Sequence, residues 1–213
     1  MQALSRESRQ CVICSTTTVF TCVNDKHYID QPDLDGRPYE FSLIALPYWI
    51  QACGTCKYRS RDIRHADPHT ATLIRSTPYQ ALLTDSGYPY LAREYQAAAY
   101  VVRTQQLYVD AAWYHLRAAW KCEDVGHPFA NLCRKEALHD LEQAYTHAQP
   151  VTDRDAETCL IIADIYRRNG DMANASHFHQ RATTCDDGRL NAALALLLRL
   201  ITTNTTRRQQ RPS

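Results

Sequence analysis

The sequence predicts a mainly α protein with a small β module at its N-terminus. Three observations lead there. Up to about residue 65 turn formers alternate with short β-prone runs; from about Pro68 alanine, leucine, arginine, glutamine and tyrosine take over and glycine becomes sparse. Two Cys-x-x-Cys pairs, Cys11/Cys14 and Cys53/Cys56, both fall in the first part. The second part is punctuated by helix caps and breakers, including Pro128, Pro150 and Gly170. These divide the chain into a β module over 1–67, a helical domain over 68–203 and a disordered polar tail over 204–213.

In the first part, "STTTVFTCV" and "FSLIALPYWI" are strand candidates, and "DQPDLDGRPYE" between them reads as a loop. In the second part, Tyr90 to about Asp124 is helical with a break near Leu107, and Pro128 to about Ala148 follows. Asp153 to Asn169 has an acidic start, basic last turn and Gly170 as its cap. Asp171 to about Cys185 and Leu190 to Ile201 complete the set.

At 213 residues the chain can bury a sizeable core, and a net charge of +1 gives no bulk field that would favour nucleic acid or an acidic surface. The first twenty residues lack the apolar core of a signal peptide. The longest apolar run, "LNAALALLLRLI", is short of the roughly 20 residues that span a membrane. A soluble, cytoplasmic protein is expected, with no membrane partner; the oligomeric state is left open. Nine cysteines, two pairs of them tight, suit a metal site in a reducing compartment better than a disulfide scaffold.

Two knuckles of this spacing can supply four thiolates to one tetrahedral ion at about 2.3 Å each. Cys11, Cys14, Cys53 and Cys56 are therefore read as ligands of one structural zinc per chain, in a zinc-ribbon-like module. Gly54 gives the second turn conformational room. Four cysteines close the coordination sphere, so the metal is expected to supply folding energy and no chemistry. The competing reading of "CGTC" is a redox dithiol, which calls for a βαβ setting that the sequence does not display. Cys22 and His27, between the knuckles, read as a buried thiol and a surface imidazole, with a role as substitute ligands the less favoured alternative. "HADPH", with His65, Asp67 and His69, reads as an exposed linker; Cys122, Cys133, Cys159 and Cys185 read as small apolar fillers of helices. His177 and His179, two apart, face different sides of their helix.

"KYRSRDIR" places Lys57, Arg59, Arg61 and Arg64 beside Tyr58. It is either a phosphate-contacting patch or a solvated charged segment, the second being favoured.

Counting from Tyr166, small residues lie at Ala163, Gly170, Ala175 and Ala182, which lets two antiparallel helices approach closely. That spacing resembles a tetratricopeptide repeat, a helix-turn-helix unit of roughly 34 residues. A degenerate copy lies upstream, where Trp113, Leu116 and Trp120 share a helix face, and the last helix reads as a cap. Tyr95, Tyr100, Tyr108 and Tyr114 line either the core or a groove.

With its first "CxxC", its "CGTCKY" after an aromatic and apolar run, "YHLRAAW" and "ADIYRRNGD", the chain resembles a bacterial family of unknown function, numbered 2225. The family usually has proline and glycine around the first knuckle, where this chain has Val12 and Ser15. The resemblance implies a zinc ribbon joined to tetratricopeptide-like helices, and no established reaction. There is no HExxH, Walker loop, GxSxG or dinucleotide fingerprint. The expectation is a non-enzymatic adaptor holding a protein or peptide on its helical face. Its alternatives are a nucleic-acid-associated role, through "KYRSRDIR" and Arg207, Arg208 and Arg211, and a thiol- or metal-dependent enzyme.

Overall fold

The computed structural model describes residues 4–23, 32–38, 45–152, 154–186 and 188–212. Its described part is mainly helical, with eight α-helices and a small N-terminal antiparallel sheet. Strands β1 (Leu4–Gln10) and β2 (Thr17–Val23) form one hairpin, and the two-residue strands β3 (Gln51–Ala52) and β4 (Arg59–Ser60) form another. The helices are α1 (Thr70–Leu73), α2 (Thr77–Thr84), α3 (Tyr90–Thr104), α4 (Tyr108–Asp124), α5 (Ala130–Thr146), α6 (Asp155–Arg168), α7 (Met172–Cys185) and α8 (Asn191–Thr202).

The chain forms two compact units. One contains residues 1–28 and 43–140, the other 29–42 and 141–213, so the division falls within α5. In the first unit the cysteine module shares its core with helices: Cys11, Cys53, Tyr58 and Ile63 are buried together with Ile74 of the α1–α2 link, Tyr79 of α2, and Ala97 and Val101 of α3. In the second, Leu160, Ala163, Ala175, Ala182, Leu194, Leu197 and Ile201 close a core among α6, α7 and α8. Ala163, Ala175 and Ala182 are fully buried, and Tyr166 stacks on Phe178 at 5.5 Å between centroids. Small residues at the crossing let the two helices pack, and the aromatic pair occupies the space beside them.

The helices are turned by a recurrent C-terminal device. At the end of α6, Gly170 takes φ +83, its N–H donates to Arg167 O at 2.9 Å, and Asp171 N donates to Tyr166 O at 3.0 Å. Asp171 then caps α7 by accepting from Asn174 N at 3.0 Å. The same pair of bonds ends α3, with Gln106 at φ 59, and α5, with Ala148 at φ 53. The break near Leu107 is therefore a full helix stop, made without glycine.

Three segments depart from expectation. "FSLIALPYWI" is no strand where it is described: Leu46–Tyr48 form a 3-10 helix, because Pro47 fixes φ and brings no N–H to a ladder. Residues 32–38 cluster with the second unit instead of staying beside the knuckles. The tail, expected to be free of the rest, makes contacts as far as Arg211. Leu34 N donates to Gln209 O and Arg211 N to Pro32 O, both at 3.1 Å, Arg208 pairs with Asp33, and Arg211 pairs with Glu157 at 2.8 Å. A polar tail that lacks an apolar face is held here by backbone bonds and charge pairs, neither of which leaves a periodic signature.

A candidate metal centre of four cysteines

Each Cys-x-x-Cys pair is the loop of a β-hairpin. β1 and β2 pair up to Gln10↔Thr17, which leaves residues 11–16 as the loop; β3 and β4 pair at Ala52↔Arg59, which leaves 53–58. The two loops share one hydrogen-bond pattern. Cys11 N donates to Thr16 O at 2.9 Å and Ser15 N to Cys11 O at 2.8 Å; Cys53 N donates to Tyr58 O at 2.9 Å and Lys57 N to Cys53 O at 3.1 Å. In both, the residue after the second cysteine is left-handed, Ser15 at φ 60 and Lys57 at φ 66. That turn points both sulfurs of a knuckle to one side. The freedom expected at Gly54 is thus needed three residues later, at Lys57, whose Nζ donates to Gly54 O at 2.7 Å.

The knuckles meet crosswise. Cys11 Sγ lies 3.6 Å from Cys56 Sγ and Cys14 Sγ lies 3.5 Å from Cys53 Sγ, and all four sulfurs fall within 4.8 Å of one another. Tetrahedral bonds of about 2.3 Å imply sulfur separations of about 3.8 Å. The group is therefore positioned to hold a metal ion. Among the described residues it is the one set of three or more Cys, His, Asp or Glu side chains with ligand atoms close enough to do so.

Cys11 and Cys53 are fully buried, while Cys14 and Cys56 are half-buried. Burial pushes the Cys11 and Cys56 thiols up. Hydrogen bonding to Thr16, whose Oγ1 is 3.4 Å from the sulfur, brings Cys14 down to about 6. A cation at the centre favours the thiolate form of its ligands, so Cys11 and Cys56 are the ones that need it most.

The cradle is fixed from outside the knuckles. Val12 N donates to Ile63 O at 3.0 Å, Thr16 Oγ1 donates to Thr55 Oγ1 at 3.1 Å, and Tyr79 of α2 donates to Lys57 O at 2.7 Å. Arg59, next to the second knuckle, forms a buried pair with Glu94 of α3, its Nη2 donating to Glu94 Oε1 at 3.2 Å.

Part of the "KYRSRDIR" segment is engaged within the protein. Arg59 is buried in its pair with Glu94, Arg64 pairs with Asp62 at 2.6 Å, and the Tyr58 hydroxyl donates to His65 O at 2.8 Å. Arg59 ties the segment to α3, while Arg64 is exposed and pairs locally. In the tail, Arg208 and Arg211 are engaged in the same way, with Asp33 and Glu157.

The other sequence candidates are dispersed. Cys22 is buried on β2 outside the cluster, and His27 lies outside the described residues. His65, Asp67 and His69 are exposed. Cys122, Cys133 and Cys159 are buried fillers, whereas Cys185, at the last turn of α7, is exposed. His179 is buried, with Nε2 3.0 Å from Leu194 O, and His177 is exposed on the opposite face. Tyr95 and Tyr114 belong to the core; Tyr100 and Tyr108 are half-buried. Sequence reasoning missed Tyr79 and Glu94, which brace the second knuckle from 22 and 35 residues away; no local pattern signals such partners.

No family model matches this sequence, and neither a curated protein nor a solved structure matches it significantly. No helix among the described residues is long and apolar enough to cross a membrane.

Proposed function

We propose that Cys11, Cys14, Cys53 and Cys56 hold one structural zinc ion in a ribbon-like module, and that the protein is a non-enzymatic adaptor whose helical hairpins hold a protein or peptide partner. The crossed sulfur geometry supports a tetrahedral metal site. Four thiolates in a tetrahedral set suit zinc or iron, and they leave no open position for a bound water to react. A reducing compartment such as the cytoplasm keeps these thiols available to the metal.

The adaptor reading rests on the second unit's surface. Tyr145 is 76% exposed, and the Arg181 guanidinium sits 5.9 Å from its ring and 5.4 Å from that of Phe178, which in turn stacks on Tyr166. Tyr166 is tied to α5 through Glu142, at 3.1 Å. Tyrosine and arginine side chains presented together at a surface are among the residue types that dominate binding energy at protein interfaces. The test is selection of a displayed peptide library on the full chain, followed by Tyr145→Ala and Arg181→Ala. The reading expects selected peptides to lose at least tenfold in affinity to either variant. Selected peptides that bind both variants unchanged would remove the helical face from the proposal.

A further inference from the structure

The first unit contains a cation that the metal centre does not use. Arg117 lies on α4 with its guanidinium between two aromatic rings, 5.6 Å from the centroid of Trp49 and 5.7 Å from that of Tyr114. Its Nε is buried without a hydrogen-bond partner, while the residue as a whole is only half-buried. No carboxylate among the described residues pairs with it. Burial pushes its pKa down and nearby Arg61 adds to that, so the charge is held at a cost.

Both walls are braced. The Tyr114 hydroxyl accepts from Arg61 N at 2.9 Å. Tyr95, buried 6.1 Å from Tyr114, donates its hydroxyl to Leu46 O at 2.5 Å in the short helix that ends at Trp49. A guanidinium held against two rings has the freedom of its donor fork reduced in advance. That arrangement binds a planar oxyanion in two-point fashion with little further loss of freedom. A carboxylate is planar and presents both of its oxygens to such a fork at once, and an acidic peptide side chain carries one.

We infer that Arg117, between Trp49 and Tyr114, is a receptor for one carboxylate of an acidic peptide segment, and so provides the adaptor with a second contact apart from the helical face. The inference rests on the adaptor reading for the source of the carboxylate. It also explains why an arginine with no carboxylate partner among the described residues occupies this half-buried position.

The experiment titrates the full chain, as purified, with a capped tetraglutamate peptide, a capped tetraglutamine peptide and inorganic phosphate. The readouts are the Arg117 Nε–H resonance and tryptophan fluorescence. The expected result is a saturable change with tetraglutamate alone, weakened at least tenfold by Arg117→Lys, which keeps the charge and loses the fork. Arg117→Met is expected to abolish the change while melting no lower than the parent, since it removes a half-buried charge that no described carboxylate offsets. Tetraglutamate binding that survives in both variants would overturn the inference, as would saturable binding of phosphate alone or no binding at all. The adaptor reading fails separately, when no library peptide binds through Tyr145 and Arg181.

Discussion

The cysteine module and the α6–α7–α8 hairpins are built on opposite principles. Around the knuckles the regular structure is slight: β3 and β4 have two residues each, and β1 faces solvent along much of its length, with Ser5, Arg6, Ser8 and Gln10 exposed. The apolar core there is shared with α2 and α3, and its centre is four sulfurs. In the α6–α7–α8 region, a continuous stripe of alanine and leucine does the work, with Leu160 and Leu197 fully buried. A region that buries little apolar surface needs a crosslinking ion, and one that buries a stripe does not. The two should therefore answer differently to the same perturbation.

The largest expected difference comes from Cys53→Ser. Losing one thiolate opens the tetrahedral set, and structural zinc supplies on the order of 10 kcal/mol to small modules. Hydrogen exchange should show protection lost over residues 4–23 and 45–63 and kept over 155–202. Equal loss in both regions would break the comparison.

The reciprocal change is Leu197→Ala. Truncating a fully buried leucine costs about 2–5 kcal/mol. Exchange should rise in α6, α7 and α8, while metal content and protection at 4–23 stay as they were.

Acidification should separate the units in sign, by a few kcal/mol at most. Asp164 is buried beside Arg167, and burial raises it to about 6, above its unfolded value near 3.9. The folded state thus holds this proton more tightly, so the contribution is full below the unfolded pKa and is lost as pH rises through 6. His115 is buried next to Arg103, and burial lowers it to about 3. It contributes stability above pH 6.5 that is lost as pH falls towards 3. Asp140, 3.4 Å from His115 and itself raised by burial, opposes this in part, while protonation of the thiolate ligands adds to it. Between pH 7 and 5, exchange should slow in the second unit and quicken in the first, and Asp164→Asn should flatten the response of the second alone.

The smallest effect sharpens the account of helix ends. Gln106 occupies the left-handed position that Gly170 fills at the end of α6. Gln106→Gly should raise stability by about 0.5–1 kcal/mol, read as a higher melting midpoint, whereas Gly170→Gln should lower it by a similar amount.

How much of this was legible in the sequence follows from the same contrast. The helices from α3 to α8 begin and end within a few residues of the periodic pattern, because their caps and breakers are local: Gly170, Pro150 and the acidic start of α6 lie beside what they terminate. The four cysteines were legible because ligand spacing within a knuckle is a local property. What was hidden depends on distant residues. β1, "LSRESRQ", has no apolar alternation, and its pairing with β2 defines it. Pro47 places Leu46–Tyr48 of an apolar run in a 3-10 helix instead of a strand. The composition boundary near 67 also misses the packing boundary near 140, since Tyr79, Ala97 and Val101 close the core over the cysteines.

The most direct test is metal analysis of the purified chain, with its visible absorption spectrum, beside Cys53→Ser. The account predicts one zinc per chain, no absorption bands in the visible and metal absent from the variant. Chain that binds no metal and keeps full exchange protection at 4–23 and 45–63 would contradict it, and so would iron in place of zinc.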